Sequence, residues 1–199
     1  FGSLGSVYQI EHTDIKRWSV GSPIQAALDA IDALNREAPI EAERIDCVEV
    51  RLPVEGSRVV DNRKMPSVNV QHQVALMIVD GRLGFVSSHD QDRMRDPSVL
   101  AIRERVVLVP DEVLSRAEPS RQAIVKITYK DGSNRRHHTT AVRGTTENPM
   151  SWKEVAEKAR DLMKPVLGEN QTEAVIAAVG KLEQASSIDD LVTALRQET

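Results

Sequence analysis

The sequence predicts a mixed α+β domain with antiparallel strands over residues 1–145, followed by C-terminal helices over residues 146–199. Three observations support this fold class. Strand-like runs and helix-like runs do not alternate regularly, as they would in a βαβ protein. The dipeptide Asp131-Gly132 separates two strand-like runs and is a strong signal for a hairpin. After Gly144, the apolar residues recur only at helical spacing.

The first two predicted elements are a helix and a strand. Ser22 is a favourable N-cap and Pro23 fits the first helical position, so we expect a helix from here to about Glu37. Pro39 blocks its continuation, because proline lacks the N–H that a helix needs. Residues 45–52 nearly alternate between apolar and polar side chains, which predicts a strand.

A loop, two helices and a further strand are predicted next. Residues 53–67 are polar, and we interpret them as a long loop, a feature that is often functional in a compact domain. A helix is expected over residues 70–79. Another begins at Pro97 with Asp96 as its cap, and residues 105–109 predict a strand.

The remaining elements are a hairpin and three helices. The hairpin strands are expected at residues 123–129 and 133–142, and the helices near residues 151–164, 170–185 and 187–197. These helices are amphipathic, and three of them are too few to bury their apolar faces alone. The sequence therefore predicts that they need a partner surface.

The composition argues against several classes of protein. A net charge of −4 and a pI near 5.8 do not favour a nucleic-acid binder or a membrane binder. The basic run at residues 135–138 is interpreted as a solvated strand or turn. We expect no membrane-spanning segment and no signal peptide. Cys47 is the only cysteine, so no internal disulfide can form and a reducing, cytoplasmic location is expected.

Neither a metal site nor a cysteine nucleophile is predicted. Cys47 lies in an apolar, strand-like run, which favours a place in the core. The residues His12, His137 and His138 have no metal-ligand spacing with carboxylates or with Cys47.

Four stretches follow one another in a fixed order along the chain. They are Lys16-Arg17-Trp18 with the following SPIQAALDA, QHQVALMIVDG at 71–81, DPSVLAIRERVVLVPDE at 96–112, and a tail with Gly144, Asn148-Pro149, Lys158, Leu162 and PVLG at 165–168. Together they resemble the MmgE/PrpD family, which includes 2-methylcitrate dehydratase, aconitate decarboxylase and iminodisuccinate epimerase. The resemblance covers only the C-terminal part of that family.

The resemblance implies how the two regions are built. Family members have a large all-helical domain with an α+β domain inserted into it, after which the chain returns to finish the helical domain. Residues 1–145 would be the inserted domain, and the later helices would be the returning part. The first helical segment is expected to be absent from these residues, in agreement with a chain that starts at Phe1 without methionine. A homodimer is also implied.

The resemblance implies a cofactor-independent reaction on a small di- or tricarboxylate, in which a proton next to a carboxylate is removed. Dehydration is the reaction we expect, with cations that hold carboxylates and an acid–base pair. Lys16 matches the family's active-site lysine, and the N-terminus of the helix that Ser22 caps would add positive potential there. His72 falls where several members have a tyrosine, and a histidine there can take part in proton transfer near neutral pH.

Three further residues are candidates for substrate binding. Gln25 lies where many members have a histidine, and because an amide is neither acid nor base its role must be binding. Arg17 and Arg63 would add positive charge to the pocket. The alternatives are that Arg17 lies behind the site or at the surface and that Arg63 belongs to a solvated loop.

Two other classes of function remain open. One is a non-catalytic module that binds or senses a carboxylate metabolite. The other is a subunit that completes the helical domain of a separate chain. Under the enzyme hypothesis, the remaining acid–base groups come from the missing helical segment, so residues 1–199 alone are expected to be inactive.

Overall fold

The computed structural model describes residues 5, 6 and 8–196. The chain divides into two compact units, Phe1–Pro149 and Met150–Thr199. The first unit includes the turn that follows Gly144, because Gly144 donates its N–H to the carbonyl oxygen of Asn148 at 2.8 Å. The first unit is an α+β domain and the second is helical.

A four-stranded mixed sheet forms the centre of the first unit. Its strands are β1 (Ile45–Pro53), β2 (Val106–Asp111), β3 (Ala123–Tyr129) and β4 (Asn134–Thr139), in the spatial order β2-β1-β3-β4. The predicted hairpin at Asp131-Gly132 is confirmed, because β3 and β4 are antiparallel neighbours that flank it. Gly132 has a φ of 82°, a left-handed conformation that glycine adopts without a steric penalty.

The sheet differs from the predicted one at β2. This strand pairs with β1 in parallel, whereas β1 with β3 and β3 with β4 are antiparallel. Parallel neighbours need a long crossover, and here it contains four helices. They are α2 (Val54–Val60), α3 (Val70–Asp80), α4 (Phe85–His89) and α5 (Pro97–Arg103).

The expectation of a loop over residues 53–67 was wrong in its first half, because α2 begins at Val54. The hydroxyl of Ser57 donates to the carbonyl oxygen of Pro53 at 3.1 Å, and Ser57 is buried. Val60 is also fully buried, so two side chains spaced three residues apart form the inner face of this short helix.

One face of the sheet packs against helices. The helix α1 (Gln25–Glu37) contacts β3 and β4, and α3 contacts β2 and α5. The apolar side chains that fill this layer are Ile24, Leu28, Ile31, Leu34, Val48, Val50, Leu52, Val125 and Ile127. Each such side chain stabilises the fold by about 1.5–3 kcal/mol when it is fully buried. This layer holds α1 firmly, together with the residues that precede it.

The second unit consists of α6 (Trp152–Gly180) and α7 (Asp189–Leu195). The predicted start is confirmed, since the Ser151 hydroxyl accepts from the Glu154 N–H and the Glu154 carboxylate accepts from the Ser151 N–H. The predicted gap between two helices is a kink at Gly168, which has a φ of 75°. Large apolar side chains stay exposed in this unit, namely Trp152, Val166, Val179, Leu182, Ile188, Val192 and Leu195.

Among the described residues, no helix combines the length and the apolar character that a bilayer crossing requires.

Candidate functional site

The segment that carries Lys16 has no regular secondary structure and is held on both sides of this residue. Ile15 donates its backbone N–H to the carbonyl oxygen of Gly144 at 2.8 Å, and Trp18 is buried. The Lys16 side chain between them is exposed. Within the described part of the chain, its ammonium group takes part in no ion pair or hydrogen bond. The segment therefore offers one uncompensated cation on a fixed backbone.

The helix start near Lys16 differs from the predicted one. Ser22 does not cap α1 with its side chain, because a 3-10 turn, Ser22–Ile24, precedes the helix and follows Gly21. Pro23 lies in the first turn, as expected for its fixed φ. The predicted N-cap at Ser22 was therefore wrong.

Gln25 fastens the Lys16 segment to α1. Its Oε1 accepts from the Trp18 N–H at 3.0 Å, and its Nε2 donates to the carbonyl oxygens of Trp18 at 2.8 Å and Val20 at 3.2 Å. The side chain is buried, and both amide hydrogens are used. This arrangement suits a structural role in holding the segment, and it leaves no amide hydrogen for a substrate.

Arg17 is neutralised by α1. Its Nη1 lies 2.7 Å from a carboxylate oxygen of Asp32 and 3.6 Å from one of Asp29, and its guanidinium stacks over the Trp18 ring at 4.2 Å. The two carboxylates compensate its charge. Of these two adjacent residues, Arg17 has its charge paired, whereas Lys16 has no ion pair with any described residue.

Asp29 is a site residue that the sequence does not single out. Its Oδ1 accepts from Trp18 Nε1 at 2.9 Å and its Oδ2 accepts from the Arg143 N–H at 2.8 Å. Burial raises the pKa of Asp29, while the hydrogen bonds and Arg17 oppose that shift. Its one signal in the sequence is its position four residues after Gln25, one turn along the same helix face.

His72 occupies a different environment from the one expected of a proton donor. It lies on α3, fully buried, and neither ring nitrogen has a hydrogen-bond partner in the described residues. Burial lowers the pKa of His72 most, and together with the nearby charges of Arg103 and Arg93 it brings the pKa from 6.5 to about 4. The ring is therefore neutral at neutral pH, and an imidazolium that donates a proton there is not supported.

Arg63 closes the end of α2. Its Nε donates to the carbonyl oxygen of Val59 at 2.7 Å, and its Nη2 donates to that of Arg58 at 2.7 Å. A guanidinium at the C-terminal end of a helix satisfies free carbonyls and matches the helix dipole. Lys64 follows as an exposed residue, so this turn is solvated.

The described residues offer neither a cluster of metal ligands nor an activated cysteine thiol. Among the residues described, no three His, Cys, Asp or Glu side chains cluster in a way that could hold a metal ion. Burial raises the pKa of Cys47, which makes its thiol a poorer nucleophile.

The first unit is a mixed sheet with a helical crossover and carries the Lys16 segment, and a helical unit follows it in the chain. The family model of the MmgE/PrpD C-terminal domain matches residues 18–184. The chain belongs to the MmgE/PrpD family. The match begins two residues after Lys16, so the assignment of this lysine rests on the motif Lys16-Arg17-Trp18 and on its geometry. A comparison with curated proteins gave no significant match.

Proposed function

We propose that this chain is part of a cofactor-independent lyase that acts on a small hydroxy- or unsaturated polycarboxylate. Lys16 holds a carboxylate of the substrate in this proposal. The observation that supports it is the uncompensated Lys16 ammonium on a backbone that Gly144 and Gln25 fix on either side.

The same cation suits the proposed reaction step. When a base removes a proton from the carbon next to a carboxylate, negative charge moves onto the carboxylate oxygens. A fixed ammonium beside those oxygens stabilises that charge more than it stabilises the substrate. In a dehydration, the hydroxyl on the neighbouring carbon then leaves as water after it receives a proton from an acid.

The base and the acid are proposed to lie outside these residues. His72 is buried and neutral, and the Gln25 amide can neither give nor take a proton in this pH range. We assign Gln25 and Arg17 to holding the Lys16 segment and Arg63 to closing α2. Proton transfer is assigned to the helical segment that the family resemblance implies.

The exposed apolar side chains of the second unit favour a second proposal about assembly. Trp152, Val166 and Leu182 are 54%, 69% and 42% exposed. Exposed apolar side chains in such number are typical of a surface that another protein segment covers. The cover is proposed to be helical sequence of the same protein, and a separate chain is the alternative.

The test of the lyase proposal is an activity assay on the chain expressed with any coding sequence that precedes it in its gene. The substrates are 2-methylcitrate and citrate, and the readout is the ultraviolet absorbance of the conjugated product. We expect turnover by this protein and none by residues 1–199 alone. Saturable binding of both compounds without turnover would instead establish a carboxylate-binding module.

A further inference from the structure

The carboxylate of Asp29 joins two segments that are far apart in sequence. It projects from α1 with its side chain only 9% exposed. One oxygen accepts from the indole N–H of Trp18, and the other accepts from the backbone N–H of Arg143. Each carboxylate oxygen therefore binds a different segment, and the Asp29 side chain links the Trp18 segment to the Arg143 turn.

Both of these segments border Lys16. Trp18 follows Lys16 by two residues, and the turn at Arg143 continues into Gly144, whose carbonyl oxygen accepts from the N–H of Ile15 at 2.8 Å. Lys16 is therefore bracketed by one bond to the turn and by one buried indole. The Asp29 carboxylate connects the turn to the indole, so both neighbours of the Lys16 segment are held by one side chain.

We propose that Asp29 is the positioning residue for Lys16, in that it fixes the direction from which the ammonium meets a substrate carboxylate. The inference rests on the proposed function for its ligand, a polycarboxylate at Lys16. The inference has two parts. The first part, that Asp29 holds the Lys16 segment in place, depends only on the two hydrogen bonds of Asp29 and not on the proposed function.

The chemistry of the two bonds requires a carboxylate. Trp18 Nε1 and the Arg143 N–H are both donors and have no acceptor role. An asparagine has one oxygen and one NH2 group, so either orientation of its amide places donor against donor at one of the two partners. The substitution Asp29→Asn keeps the shape of the side chain and breaks one of the two bonds. That makes it a sharp test of the inference.

A neighbouring carboxylate provides a matched control. Asp32 lies on the same helix and contacts the side chains of Arg17 and Arg36 but forms neither of the two bonds that bracket Lys16. The substitution Asp32→Asn removes a similar charge from the same helix face. Its effect on the Lys16 segment is expected to be smaller, because partly exposed ion pairs stabilise weakly.

The experiment measures limited trypsin cleavage after Lys16 alone, located by mass spectrometry, in the protein expressed with any preceding coding sequence, because Asp32 pairs with Arg17 directly. Cleavage requires the segment to leave its hydrogen bonds. We expect Asp29→Asn to raise the cleavage rate by about tenfold or more, the effect of one lost buried bond to a charged group. Asp32→Asn is expected to raise it by less than about threefold. Equal rates in wild type and Asp29→Asn would overturn the inference, whatever the protein binds.

Citrate affinity tests the second part of the inference, that Asp29 positions Lys16 for a substrate carboxylate. Asp29→Asn is expected to weaken citrate binding by about tenfold. The double variant with Lys16→Gln should bind no more weakly than Lys16→Gln alone, because Asp29 acts through Lys16. Faster cleavage with unchanged citrate affinity would overturn the positioning role. Absence of citrate binding by the wild type would refute the proposed function, while the cleavage rates still decide whether Asp29 holds the segment.

A second variant covers the case in which Asp29→Asn does not fold. Trp18→Phe keeps the buried ring and removes only the indole N–H, leaving the bond from Arg143 to Asp29 in place. We expect it to raise cleavage after Lys16 by about three- to tenfold. A cleavage rate equal to that of the wild type would contradict a role for the Trp18–Asp29 bond in holding the segment.

Discussion

The backbone N–H of Ile15 lies 2.8 Å from the carbonyl oxygen of Gly144. This bond joins the segment that precedes α1 to the turn that ends the first unit. It places Lys16 beside the point where the chain continues toward the second unit. The bond therefore fixes the backbone immediately before Lys16.

The Gln25 side chain should matter for stability more than an ordinary surface amide. Gln25→Leu would leave the buried N–H of Trp18 without its acceptor, and we expect the free energy of unfolding to fall by about 2 kcal/mol. Urea unfolding followed by Trp fluorescence measures this. Gln91→Leu is the control, because Gln91 is exposed and its loss should change stability by less than about 0.5 kcal/mol. Equal effects of the two substitutions would contradict the structural role of Gln25.

Gly81 ends α3 in a left-handed conformation with a φ of 68°. A Cβ added there would meet no atom within 4 Å, so a substitution costs only backbone strain. We expect Gly81→Ala to lower the free energy of unfolding by about 1 kcal/mol, and Gly81→Asn to lower it by less, because asparagine tolerates this conformation. Thermal unfolding of both variants tests the order, and a more stable alanine variant would contradict it.

His72 should make stability depend on pH. Its pKa of about 4 in the folded protein lies below its ordinary value of 6.5, so the unfolded chain binds a proton first as the pH falls. The contribution of His72 to the free energy of unfolding is fully present above pH 6.5 and is lost as the pH falls toward 4. Between pH 7 and pH 5 the loss amounts to about 2 kcal/mol.

The test compares urea unfolding at these two pH values in wild type, His72→Leu and His12→Gln. The leucine variant should lose this part of the pH dependence. His12 is exposed, so His12→Gln should retain it. The same dependence in wild type and His72→Leu would show that the ring is not buried and neutral in solution.

Arg63 should be dispensable for ligand binding. Its guanidinium is used by the carbonyls at the end of α2, so Arg63→Gln is expected to leave citrate affinity unchanged within about twofold. The free energy of unfolding should fall by less than about 1 kcal/mol, since both bonds are exposed. Calorimetric titration measures the citrate affinity. A tenfold loss of affinity in Arg63→Gln would contradict this prediction and support a role for Arg63 in substrate binding.

The parts of the fold that depend on local chemistry could be predicted from the sequence. The turn at Asp131-Gly132 is one case, because Asp131 accepts from the N–H of Ser133 at 2.9 Å and glycine supplies the positive φ. The capping box at Ser151 is another. The parallel pairing of β1 with β2 could not be predicted, because it depends on how a crossover of about fifty residues packs and not on any local pattern.

The candidate site divides in the same way. Lys16 and Gln25 lie in one motif, so the sequence could propose both as candidates, but it could not show that the Gln25 amide is bound to the backbone. Asp29 could not be found, because its partner Arg143 lies 114 residues away. The environment of His72 depends on burial and on the charges of Arg103 and Arg93, neither of which can be read from its neighbours in sequence.

The central claim is that Lys16 holds a substrate carboxylate, and a calorimetric citrate titration tests it most directly. The proteins are wild type, Lys16→Gln and Lys130→Gln, each expressed with any preceding coding sequence, and Lys130 is an exposed lysine on the β3–β4 turn. We predict that Lys130→Gln binds citrate as wild type does and that Lys16→Gln binds at least about tenfold more weakly. Equal citrate affinity of Lys16→Gln and wild type would contradict the claim.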